Sequence, residues 1–173
     1  MFGPSGTNLA TGANYSVLNY TPRGWVGVTN TATSNLFDTS KNNAYFVFVT
    51  GAYGNGNIAS GASATTLKET GELITGDVTY SSIIDTKHTL IGNPYASPLD
   101  PSKILTGSNN MTGSFWVWDP ALATTGAYVS YYNGLATYSN IIGSYTNVTA
   151  IQSGQAFFVK ATTGTTGSFS LSE

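Results

Sequence analysis

The stretch Phe115-Trp116-Val117-Trp118-Asp119-Pro120 decides the fold. Side chains alternate across a β-strand, so Phe115 and Val117 point one way while Trp116 and Trp118 point the other. One face is core. The other carries two large aromatics, which form either a second buried layer or a binding platform. In Tyr45-Phe46-Val47-Phe48-Val49 both alternating sets are apolar, which predicts a central strand covered on both sides.

Outward from these stretches, short β-branched and aromatic runs recur between Gly, Asn, Ser, Thr and Pro, and helix signals are nearly absent. Strands are expected at Gly24–Thr29, Ala44–Thr50, Thr65–Thr70, Asp77–Ser81, His88–Ile91, Ser114–Trp118, Ala127–Tyr132, Ala136–Tyr138, Ala156–Ala161 and Ser168–Leu171. The fold class that follows is all-β, a jelly-roll-like antiparallel β-sandwich. Residues 1–173 are read as one domain, with 1–23 an extended lead-in or edge strand. Asn133-Gly134 supplies the positive φ angles of a two-residue hairpin turn. Asp100-Pro101 predicts one short helix over Ser102–Leu105, because Asp caps and Pro pre-sets the first turn. Gly51–Gly61 reads as a long loop, and Thr162–Gly167 as a Thr/Gly loop. Three prolines make Gly92–Pro101 a rigid crossover between sheets, with Asn93-Pro94 a candidate cis bond.

Charged residues are only 8% of the 173, with six Lys and Arg against eight Asp and Glu. Typical soluble domains carry about 25%. Solubility therefore rests on Ser, Thr, Asn, Gly and Tyr, a chemistry common in exported adhesive proteins, and a net charge of −2 leaves little repulsion between copies. So few scattered cations give no footprint for nucleic acid. There is no Cys, and no apolar run approaches the roughly 18 residues of a helical membrane span. The N-terminus lacks the pattern of a signal peptide, so an export signal is expected elsewhere.

Leu90-Ile91-Gly92-Asn93-Pro94-Tyr95-Ala96-Ser97-Pro98-Leu99-Asp100, Phe115–Pro120, Tyr128–Gly134 and Ile151-Gln152-Ser153-Gly154-Gln155-Ala156-Phe157-Phe158-Val159-Lys160-Ala161 stand in a telling order. With Asn35–Asp38, Tyr45–Gly51 and Leu67–Asp77 upstream, the chain from Gly24 to Glu173 resembles a β-rich accessory module of Bacteroidota secreted proteins. That module often precedes the C-terminal sorting domain of the type IX secretion system. The resemblance implies export across the outer membrane, a secreted or cell-surface location and no enzymatic activity. The chain departs from the pattern at Ala96, where Pro is common, and at Pro101, where Trp is common. Its Thr50–Gly56 loop also lacks the usual Arg.

Trp116, Trp118, Tyr131 and Tyr132 would stack on sugar rings, with Asp119 and Asn133 hydrogen-bonding the sugar edges; the competing reading buries the indoles in a core or interface. Trp25 and Tyr53 are further candidates for the same plane. His88 is the only histidine, and with Asp85 and a Ser it writes a triad on paper, but no Gly-x-Ser-x-Gly nucleophile motif accompanies it. It is read as a strand-edge residue, and no catalytic residue is expected. The scattered carboxylates sit in no recognisable catalytic setting. No cofactor or metal site is expected. Calcium is the one cation the Asp- and Asn-rich loops would suit, yet an Asp-x-Asp-x-Asp-Gly loop is missing. Ile151–Ala161 is read as a turn at Gly154 feeding a core strand, with Gln155 bonded to nearby backbone.

The expected function is a non-catalytic extracellular structural or adhesive module. Its partners would be other copies or neighbouring domains of the same surface protein. The alternative is a carbohydrate-binding module serving a catalytic domain, with an extracellular glycan as ligand.

Overall fold

β-Branched and aromatic runs, cut by turn residues, become antiparallel strands throughout the described chain. The computed structural model describes residues 17–21, 23–28, 44–47, 66, 72–119, 126–132, 135–137 and 150–173. The chain divides into two compact units, Met1–Glu72 and Leu73–Glu173.

In the first unit β1 (Val17–Thr21) pairs β2 (Gly24–Gly27) on one side and β3 (Tyr45–Val47) on the other. Residues 17–21, expected as a lead-in or edge strand, are therefore the middle strand of three. The turn after β1 closes locally: Thr21 Oγ1 donates to Gly24 O at 3.0 Å and accepts from Arg23 N at 3.2 Å. Tyr20 faces Trp25, and Trp25 contacts both Tyr20 and Phe46 edge-to-face, at 5.1 and 5.6 Å. Tyr45–Val49 is expected as a doubly covered central strand, and its described part is Tyr45–Val47. Among the described residues it pairs only β1 and leaves Val47 exposed, so apolarity on both faces did not bring burial on both. The expected strand at Thr65–Thr70, the Gly51–Gly61 loop and Tyr53 lie outside the described residues, apart from the single residue 66.

The second unit is a sandwich. Its larger sheet runs β5 (Thr89–Gly92), β9 (Ala156–Ala161), β6 (Met111–Asp119), β7 (Ala127–Tyr132), β8 (Leu135–Thr137), all antiparallel. Its smaller sheet pairs β4 (Val78–Ile84) with β10 (Thr166–Leu171). Phe115, Val117, Val129, Tyr131, Phe157 and Val159 from the larger sheet meet Ile83, Phe169 and Leu171 from the smaller one in a single buried cluster. Ile91 and Ala161 of the larger sheet belong to the same cluster, and Tyr95, Leu99, Ile104 and Ile151 complete it from flanking segments. Tyr131 stacks on Phe115 at 4.8 Å with the rings 4° from parallel.

Both sheets are bent by extra residues, one in β4 and two in β6. In β4 the register slips opposite Gly167–Phe169, where Ser82 takes φ 63°. In β6 it slips between Met111 and Phe115, where Gly113 takes φ 74°. Gly167 is buried, and a Cβ there would run into Met111 Sδ and Asn110 O, so only glycine fits.

The expected crossover between sheets instead joins β5 to β6 of the same larger sheet, because both strands flank β9, and side-chain hydrogen bonds fix its path. Asn93 is buried and its amide nitrogen donates to the carbonyls of Ser97, Ile151 and Gln152 at 2.9, 3.1 and 3.2 Å. Its Oδ1 accepts from Tyr95 N at 3.0 Å. The Tyr95 hydroxyl sits 2.6 Å from Gly76 O and 2.7 Å from Leu171 O, and ties the crossover to the smaller sheet. Gln155 bonds back through its side chain, accepting from Gln152 N at 3.0 Å, and Gly154 makes the turn at φ 72°. No peptide bond of the described residues is cis, so Asn93-Pro94 is trans.

The short helix expected after Asp100 does not form. Asp100 Oδ1 accepts from Ser102 N and Oγ at 2.8 and 2.7 Å, bonds that hold its carboxyl below the usual carboxylate range. The backbone then runs in successive turns, Lys103 N to Asp100 O and Thr106 N to Lys103 O, which drop Ile104 into the core. Gly107 and the strand after it end the run before a helical ladder can propagate.

Candidate functional site

The face of the larger sheet turned away from the core is aromatic. Register pairs Trp116 with Phe158 and Ser130, Trp118 with Tyr128, and Ser114 with Tyr132, all on one side. Phe158 and Leu90 are buried, Trp116 and Trp118 are half-buried, and Tyr128 and Tyr132 are 40% and 51% exposed. Alternation in β6 therefore separates core from aromatic face as the tetrapeptide Phe-Trp-Val-Trp implies.

The rings on this face stand across one another. His88 meets Trp116 at 4.6 Å and 89°, and Phe158 at 6.1 Å and 77°. Tyr128 meets Trp118 at 4.8 Å and 69°, and Phe158 at 5.5 Å and 67°. Such edge-to-face contacts satisfy the ring quadrupoles and lock each ring against its neighbour. They also break the surface into separate ring faces instead of one flat shelf. Trp118 is further held by Gly126, whose φ of 88° and missing Cβ leave space for the indole; a Cβ there would collide with Trp118 Cζ2.

The residues expected to form a sugar platform divide. Trp116, Trp118 and Tyr132 share the outward face. Tyr131 does not: it is 1% exposed on the opposite face, stacked on Phe115 in the core, and is withdrawn from the platform. Asp119 pairs with Ala127 and alternates with Trp118, so it also belongs to the other side of β6. Asn133 lies outside the described residues; Tyr132 pairs with Leu135, so two residues, 133 and 134, join β7 to β8. Trp25 belongs to the first unit.

Tyr128, Phe158, His88 and Lys160 were not among the expected site residues. Alternation in Ala127–Tyr132 already placed Tyr128 beside Tyr132, and alternation in β9 placed Lys160 beside Phe158. His88 arrives through pairing: Thr89 faces Val159, which sets the preceding residue beside Lys160. Burial and the Lys160 ammonium hold the His88 imidazole below its ordinary value. Asp85, the acid of the paper triad, instead accepts from Gly164 N at 2.6 Å.

Among the described residues, every buried side-chain nitrogen and oxygen has a hydrogen-bond partner, and no three His, Asp or Glu gather at metal-binding range. No described helix is long and apolar enough to cross a membrane. The chain matches no protein-family model, and neither the curated proteins nor the solved structures contain a significant match to it.

Proposed function

We propose that this chain is a non-catalytic structural or adhesive module of a secreted bacterial surface protein, making its contacts through the aromatic face of the five-stranded sheet. The observation that carries the reading is the exposure of Tyr128 and Tyr132 on a sheet face that also bears Trp116 and Trp118. Solvent-exposed aromatics clustered on one face are the residues that dominate contact energy when a partner covers them. Low charge supports the same reading, since copies approach with little repulsion. The secreted setting rests on that composition and on the ordered segments from Leu90 to Ala161 that resemble the type IX accessory module.

Sedimentation of the purified chain over a wide concentration range tests the proposal. Self-association is expected, weakened by Tyr128→Ser. A strict monomer at every concentration, or association indifferent to Tyr128→Ser, contradicts it.

A second reading, carbohydrate binding beside a catalytic domain, is favoured by one local feature. Exposed Tyr132 stands at the end of the face where Lys160 lies. The crossed rings disfavour a broad flat sugar platform and leave single-ring stacking at that end.

A further inference from the structure

We infer that the end of the aromatic face where His88, Lys160, Ser114 and Tyr132 lie abreast is a binding site for an acidic saccharide, a pyranoside carrying a carboxylate. The inference rests on the carbohydrate-binding reading of this face and names the class of sugar. Four observations converge on the site.

The first is position. Ser114 faces Tyr132 across β6 and β7. Val159 faces both Thr89 and Phe115, so the neighbouring rung brings His88 and Lys160 next to the bulged segment ending at Ser114. Thr112 Oγ1 donates to Lys160 O at 3.2 Å and anchors that rung. Trp116, held edge-on by His88, lies directly below.

The second is charge. Lys160 is half-buried and forms no ion pair with any described residue. Asp85, three residues before His88, accepts a hydrogen bond from the Gly164 amide. A partly desolvated ammonium attracts an anion and makes a charge-assisted hydrogen bond to it. His88 beside Lys160 is held toward its neutral form, so Lys160 is the charge at this position.

The third is the ring. Tyr132 is 51% exposed and offers an aromatic surface for the C–H face of one sugar. The fourth is the polar edge, since the Ser114 hydroxyl stands between ring and cation as donor and acceptor for sugar hydroxyls. A neutral sugar would use the ring and leave the cation uncompensated. An acidic peptide would use the cation and have no need of the ring. A carboxylated pyranoside uses both.

The experiment is affinity gel electrophoresis of the whole chain through polygalacturonate, dextran or polyglutamate. Retardation by polygalacturonate alone is expected. Lys160→Met keeps the stem and removes the charge, and is expected to weaken binding at least about tenfold, the worth of one charge-assisted hydrogen bond. Tyr132→Ala is expected to weaken it by about two- to tenfold, the range for one aromatic contact. Circular dichroism identical to wild type shows that both variants fold. No retardation by polygalacturonate, equal retardation by dextran, or binding that survives both substitutions overturns the inference. If polygalacturonate fails while self-association persists and still depends on Tyr128, the saccharide is wrong and the adhesive reading stands.

Discussion

The two faces of the five-stranded sheet are written by the same strands, residue by alternate residue, and both are rich in aromatics. On the inner face Phe115, Tyr131 and Phe157 are at most 1% exposed, and the smaller sheet lies over them. On the outer face Trp116, Trp118 and Tyr128 keep part of their surface in solvent; Trp116 meets His88 edge-to-face and Trp118 meets Tyr128. In the core Phe115 lies parallel to Tyr131, 4° apart, and crosses Phe157 at 70°, much as the outer rings cross at 67° to 89°. Exposure, and not ring geometry, separates the faces. The difference shows that aromatic content does not mark a core. A covering layer does, because burial needs atoms on both sides of the ring.

Deletions from the two faces should separate sharply. Phe115→Ala should cost the most, about 3–5 kcal/mol in urea unfolding, because it opens a cavity between two sheets. A loss below 1 kcal/mol would mean that the inner face is not the sealed core. Gly126→Ala attacks the outer face through its support. It strains a backbone at φ 88° and pushes on Trp118, so a loss of about 1–3 kcal/mol is expected, together with a changed tryptophan emission. Unaltered emission would show that Gly126 does not seat the indole.

A gentler effect comes from pH. Burial and Lys160 lower the His88 pKa in the folded chain, so the unfolded chain binds the proton more readily. Stability from this group is complete above the ordinary histidine value of 6.5, falls as pH drops through it, and levels off below the folded value. The slope should vanish in His88→Gln when urea midpoints of the two proteins are compared across that window. The smallest effect is Tyr132→Ala, which should change stability by no more than about 0.5 kcal/mol, because the ring is half in solvent. A larger loss would move Tyr132 from the contact surface into the framework.

Much of this contrast was legible in the residues. Phe-Trp-Val-Trp separated two faces correctly, and Ala127–Tyr132 and Ala156–Ala161 matched their strands end to end. The platform that joined Tyr131 to Tyr132 conflicted with that same rule, since adjacent residues of a strand cannot share a face. The alternation signal was present and was outweighed by residue type. Val17–Thr21 went unread as a central strand because its partners, β2 and β3, supply the pairing that defines it. Asp100-Pro101 signalled a cap truthfully; the helix failed because Ile104 is drawn into the core within a few residues of the cap.

Local chemistry by itself determined the all-β class, most strand positions and the alternation that divides each strand, because β-propensity, turn residues and a period of two act over a few neighbours. Which face became core was decided by tertiary structure. The covering sheet pairs Val78 with Leu171, from opposite ends of the unit, and Asn93 and Tyr95 fasten the β5–β6 connection to Ile151 and Leu171. Such long-range pairings follow from the packing of the whole unit, and no short stretch of sequence records them.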